Sequence, residues 1–167
     1  MGPFENALDR LGIILPAVPK PVASYVPYIK TAGTSPLIFV SGQLPFVDGK
    51  LSCVGSVPTD VSIEQASEAA RICALNAVSI LREAVGGDID KVGRIVRLAV
   101  FVQCGAGFYD QPKVANGASE IIAAIFGDWG KHARAAVGAI ALPMNATVEL
   151  ELVAEVRVHK AGTLYGS

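Results

Sequence analysis

Apolar residues recur in two rhythms along the chain, and the changes of rhythm mark out its elements. Phe4, Leu8 and Leu11 repeat at helical spacing and predict a short helix over residues 3–13, ended by Pro16, Pro19 and Pro21. Residues 23–32 and 37–44 read as strands, with Gly33-Thr34-Ser35-Pro36 as the turn between them. Asp48-Gly49 is a turn signal. Residues 62–85 give the clearest helix: Ser62 and Gln65 have capping-box spacing, and Ala66, Ala70, Cys73, Ala77, Ile80, Leu81 and Ala84 make an apolar stripe. Gly86-Gly87 supplies its stop. Residues 93–103 alternate as a strand, with Val96, Leu98, Val100 and Val102 on one face and Ile95, Arg97, Ala99 and Phe101 on the other. A second long helix starts near Asp110, the expected N-cap, carries Pro112 in its first turn and runs from there to Phe126, stopping at Gly127. After a loop at 128–133, residues 134–142 and 147–158 are the last two strands. The tail 159–167 is expected to be disordered.

The order ββ–α–β–α–ββ, behind a helical prefix, predicts an α+β domain: a single sheet with two main helices on one face. Several strands are apolar on both faces, and no helix remains to cover the second. Packing against sister copies of the chain is the economical solution. Residues 1–21 form the N-terminal helical extension and 22–158 the domain proper, without internal repeats or low-complexity segments.

Composition sharpens this picture. The 167 residues are 51% hydrophobic and only 17% charged, which again points to a large core or to apolar surface covered by another copy. A net charge of −1 with no block of like charge provides no long-range attraction to nucleic acid or anionic lipid. Cys53, Cys73 and Cys104 form neither a CxxC nor a disulfide framework and suit a reducing compartment. His132 and His159 lie too far apart in sequence to make a histidine metal site by themselves. The first residues include Glu5 and Asp9 and do not resemble a signal peptide, and no apolar run reaches the ~20 residues that span a bilayer. The expected location is cytoplasmic, with no membrane partner.

The last third holds the candidate chemistry: Arg134, Leu142-Pro143 and Glu149. An arginine where a polar loop meets an apolar strand can hold a carboxylate with two parallel hydrogen bonds. It can equally be a surface arginine that caps a strand end or pairs with an acid. Glu149 shares the polar face of the last strand with Glu151 and Glu155, so it is either solvated or placed to orient a water for attack. Ser41 has no recognisable His/Asp partner and no nucleophile elbow. Cys104 reads as a buried structural thiol and Trp129 as a packing anchor. Gly127-Asp128-Trp129-Gly130 lacks the spacing of a phosphate loop.

Phe39-Val40-Ser41-Gly42-Gln43-Leu44-Pro45, Gln65 with Asn76-Ala77-Val78, Val100-Phe101-Val102, Ala133-Arg134-Ala135-Ala136-Val137, Leu142-Pro143 and Val148-Glu149-Leu150-Glu151 occur in one order over about residues 22–158. The set resembles the RidA/YjgF family, also called L-PSP endoribonuclease-like. The resemblance implies a chorismate-mutase-like fold, a homotrimer and clefts between neighbouring subunits. It implies hydrolysis of reactive imines and enamines, such as 2-aminoacrylate, to 2-keto acids and ammonia, without cofactor or metal. The family's carboxylate-gripping arginine falls on Arg134, its glutamate on Glu149 and its strand serine on Ser41. Its cleft tyrosine falls on Tyr25 by context or Tyr28 by spacing, with Tyr25 preferred. Its helix-borne asparagine falls on Asn116 or Ser119. Ala136 stands where active members often carry cysteine, and a ligand contact through its backbone would survive that change. These departures mark a divergent branch. The alternatives are a non-catalytic homotrimer that binds a small carboxylate metabolite and, disfavoured by charge, an endoribonuclease that would need nucleic acid as partner.

Overall fold

The computed structural model describes residues 1–18 and 25–157. Pro19 and Pro21, the first two residues of the expected 23–32 strand, and the expected disordered tail lie outside them. The described residues form α1 (Pro3–Arg10), β1 (Tyr28–Lys30), β2 (Leu37–Gln43), β3 (Phe46–Val47), β4 (Lys50–Leu51), α2 (Ile63–Ala84), β5 (Val92–Gln103), α3 (Gln111–Phe126), β6 (Ala133–Ala139) and β7 (Val148–Val156).

The start of α2 is fixed by reciprocal bonds. The Gln65 amide donates to Ser62 Oγ at 3.2 Å, and the Ser62 amide donates to Gln65 Oε1 at 3.0 Å. Its stripe is almost entirely alanine, cysteine and isoleucine or leucine, and Ala66, Ala70, Cys73, Ala77 and Leu81 have no exposed surface. Small side chains let the helix lie close to the sheet and to α3. Asp110 does precede α3, but it makes no capping bond; its carboxylate pairs with Lys113 at 3.0 Å instead. Asp48 and Gly49 both adopt positive φ, 49° and 77°, and turn β3 into β4.

The main sheet runs β1-β2-β7-β5-β6, antiparallel except for β5–β6. That parallel pair requires a crossover, which α3 makes. Helices α2 and α3 cover one face, where Ile38, Leu98, Val100, Val102, Leu150, Leu152 and Ala154 are buried. The prefix helix α1 docks at the edge of this core, with the Phe4 ring 4.9 Å from that of Phe126 and Glu5 paired with Arg82 at 2.7 Å.

Three strand expectations are corrected. The regular ladder of the first strand is only Tyr28–Lys30. β6 ends at Ala139, not at 142, because the Leu142 amide is taken by Gln103 Oε1 at 2.9 Å and Met144 and Asn145 turn the chain with positive φ. Simple alternation also fails in β5. Ile95 pairs with Ala154 and Arg97 with Val153, so one extra residue, Val96, bulges from the ladder. Ile95 therefore enters the core at 0% exposure, and Val96 does not face it.

Among the described residues no helix lies over the second face. Ile29, Phe39 and Val137 are about half exposed there, with Arg97, Glu151 and Glu155 between them.

Candidate functional site

Arg134 sits on β6 in register with Leu98, which is itself opposite Leu152. Directly paired residues point to the same face of a sheet, so Arg134 turns toward the helical layer. β6 is an edge strand, so its side chain reaches solvent beside α3 rather than the core. There its Nη1 donates to Asn116 Oδ1 and to Ser119 Oγ, both at 3.0 Å, and Nη2 makes a long 3.4 Å contact with the Pro112 carbonyl. Asn116 and Ser119, the two candidates for the helix-borne asparagine, thus both hold the arginine. Ala136, two residues on, shares this face and packs against the core.

Ser119 Oγ also lies 3.1 Å from His132 Nε2, and His132 Nδ1 lies 2.6 Å from the Gly130 carbonyl. Sequence reading passed over His132. Its signal was the two-residue spacing His132-x-Arg134-x-Ala136, which places all three on one side of an extended chain.

Glu149 is elsewhere. It pairs with Phe101 on the face without helices, flanked along β7 by the fully buried Val148 and Leu150. Within one chain, Arg134 and Glu149 thus lie on opposite sides of the sheet. The Glu149 carboxylate occupies the space where a side chain on Gly42 would be, so a larger residue there would push the carboxylate aside. Burial raises the Glu149 pKa above the usual glutamate range, and the neighbouring Glu151 adds to the effect.

Ser41 lies in β2 where the pairing with β7 slips between Val40 and Gln43. Its hydroxyl donates to the Val26 carbonyl at 2.7 Å, next to Tyr25 in the chain. A cleft of about 370 Å³ on the open face gathers Ser41 with Ile29, Phe39, Arg97, Glu151 and Val153. Tyr28 pairs with Val40 and packs against the core, whereas Tyr25 is 46% exposed. Tyr25 is the more available phenol of the two.

The other candidates are structural. Cys104 is buried and receives a weak 3.6 Å bond from Gln111 Nε2. Cys73 donates to the Val148 carbonyl, and burial holds its thiol pKa well above the usual range. Trp129 is not a buried anchor: it is 52% exposed, with the Arg94 guanidinium 6.0 Å from its ring centre. Among the described residues no group of three or more His, Cys, Asp or Glu is arranged to hold a metal, and no helix is long and apolar enough to cross a membrane.

Residues 5–156 match the family described as "YjgF/chorismate_mutase-like, putative endoribonuclease". The chain belongs to this family. Among YjgF-like relatives, protein TCP17 of Trypanosoma cruzi is 43% identical over 149 residues, covering 89% of this chain and 91% of its own. The crystal structure of Atu1372 from Agrobacterium tumefaciens, a protein of unknown function, is 40% identical, with a TM-score of 0.83 over 93% of both chains. A structure from Shewanella oneidensis described as a "putative endoribonuclease" is 30% identical, with a TM-score of 0.86 over 93% of this chain and 100% of that one. These relatives confirm the α+β, chorismate-mutase-like sheet expected from the element order. The family match itself begins at residue 5, within the N-terminal extension.

Proposed function

We propose that this chain assembles as a homotrimer in which the Arg134 side of one copy meets the Ser41–Glu149 side of the next, forming clefts that hydrolyse 2-imino and enamino acids to 2-keto acids and ammonia. The observation that carries this reading is the state of the Arg134 guanidinium. Both hydrogens of Nη1 are engaged by Asn116 and Ser119, while Nε–H has no partner among the described residues. The Nε–Nη2 edge is the one that accepts a planar carboxylate through two parallel bonds.

The chemistry follows from such a grip. A 2-imino acid held by its carboxylate presents its C=N carbon at a fixed distance from the guanidinium. Water adds to that carbon, and the resulting amino alcohol collapses to a ketone and releases ammonia. No electrons are exchanged and no cofactor is needed. A glutamate with a raised pKa in a half-buried setting suits the proton traffic of the addition and the collapse. Since Glu149 lies across the sheet from Arg134 of its own chain, a neighbouring copy must bring it to the cleft. The open face, apolar and without helical cover, is the surface available for that neighbour.

The same separation favours a second reading, in which the trimer binds a small carboxylate metabolite without turning it over. Freshly generated 2-aminoacrylate distinguishes the two. Pyruvate and ammonia released faster than by spontaneous decay, and lost in Arg134→Ala, support hydrolysis. Binding of 2-oxobutyrate without such acceleration supports the carrier reading. Arg134-independent cleavage of RNA would overturn both.

A further inference from the structure

Arg134 is held by groups that are themselves held. The Gly130 carbonyl can only accept, so the 2.6 Å contact fixes the proton of His132 on Nδ1. The opposite tautomer would set a nitrogen lone pair against a carbonyl lone pair at that distance. With Nδ1 protonated, Nε2 of the neutral ring can only accept, and the donor 3.1 Å away is the Ser119 hydroxyl. Ser119 thus gives its proton to His132 and keeps its lone pairs for Arg134 Nη1 at 3.0 Å. The series runs from Gly130, at the end of a 3-10 turn, through the residue before β6 to the middle of α3 and back to β6.

We propose that Ser119 and His132 are positioning residues for Arg134, a relay that locks its guanidinium so that the Nε–Nη2 edge faces the ligand carboxylate. The proposal rests on the reading of Arg134 as a carboxylate site. Without the relay, a serine hydroxyl in the middle of a helix turns to a carbonyl of its own preceding turn. One hydrogen of Nη1 then loses its acceptor, Asn116 and the long Pro112 contact are left to restrain the arginine, and the planar group rotates more freely about its last torsions. Specificity follows as well: a fixed side-on edge suits a flat carboxylate better than a tetrahedral anion such as phosphate.

Two amides at position 132 provide the test, because each replaces one ring nitrogen. Glutamine places its amide near Nε2 and can accept from Ser119. Asparagine reaches only the Nδ1 position and keeps the Gly130 contact alone. The measurement is the Kd of 2-oxobutyrate for the wild type, Ser119→Ala, His132→Asn and His132→Gln, with thermal melts to confirm equal folding. His132→Asn and Ser119→Ala should each weaken binding by about threefold to tenfold, the worth of one net hydrogen bond, with His132→Gln within about twofold of the wild type. Ring ¹⁵N spectra of the ligand-free protein should show the Nδ1-protonated neutral tautomer, with the Nε2 signal shifting in Ser119→Ala. Wild-type affinity in both His132→Asn and Ser119→Ala overturns the relay, and so does an Nε2-protonated ring. Failure of the wild type to bind any 2-keto acid overturns the carboxylate reading instead, and the ring spectra then decide the relay by themselves.

Discussion

The two faces of the main sheet are built from the same five strands yet obey different rules. Under α2 and α3 the side chains are aliphatic, dry and close-packed: Leu98, Val100, Leu150 and Ala154 have no exposed surface. On the other face, Ile29, Phe39 and Val137 keep about half of theirs, and charged residues alternate with them: Arg97, Glu151, Glu155 and the half-buried Glu149. The first face is finished by the chain's own helices. The second is left open by the described residues, and in the proposed trimer a sister copy would finish it. Every residue assigned a role in ligand handling lies at an edge of the first face or on the second, where packing leaves side chains free to meet a ligand.

The largest expected effect is on the finished face. Leu98→Ala removes a fully buried side chain between β7 and β6 and should cost about 2–5 kcal/mol, measured by chemical denaturation. Phe39→Asp, on the open face, should leave the circular dichroism spectrum nearly unchanged but prevent assembly. Sedimentation should show the wild type at about three times 17.3 kDa and the variant at about one. A wild type that sediments as a stable monomer would remove the trimer and, with it, the two-sided cleft.

At the edge, Arg134→Lys keeps the charge but loses the fork. Binding of 2-oxobutyrate should weaken by about 10- to 150-fold, the equivalent of roughly 1.5–3 kcal/mol, with little change in melting temperature because Arg134 is exposed. A destabilised Arg134→Ala protein that still binds the acid would falsify the site.

The smallest effect has two opposed signs. Burial raises the Glu149 pKa in the folded chain above its value in the unfolded one. Its contribution to stability is therefore present below the usual glutamate range and is lost as the pH rises through the raised folded-state value. Glu149→Gln escapes that loss. Its melting temperature should match or exceed the wild type at neutral pH, with the difference closing on acidification, while hydrolysis of 2-aminoacrylate falls and affinity for the keto acid holds. A variant less stable than the wild type at neutral pH, or equally active, would take Glu149 out of the mechanism.

Local signals carried most of the fold. The capping box at Ser62 and Gln65, the alanine stripe of α2, the Asp48-Gly49 turn and the alternation of β7 are all local patterns, and each formed as expected. What stayed hidden depends on pairing. Arg134 and Glu149 are fifteen residues apart in sequence, and only the parallel β5–β6 register and the antiparallel β5–β7 register assign them to opposite faces. Asn116 and Ser119 appeared as rival matches because a list of residues has no room for an arginine with five donors that uses both. His132 was invisible as a partner because its role is set by the Gly130 carbonyl, and a backbone acceptor has no letter in the sequence. Gly42 could be read as a glycine but not as the space that Glu149 fills.

The irregular start of β5 has a consequence for how the chain tolerates change. With ladder slips on either side of Arg94, the residues sent inward are Val92, Ile95 and Leu98, three apart, before the strand settles to Leu98, Val100 and Val102. The strand counts in threes and then in twos. Substitution within it is a local matter, but its length is not. Deleting Val96 would close that bulge with Ile95 still opposite Ala154 and still inward, whereas adding or removing one residue in the regular stretch 98–102 would turn the residues before it to the other face. The regular stretch should accept many replacements and almost no insertion or deletion, and the bulge at Val96 is the place where one residue can be lost.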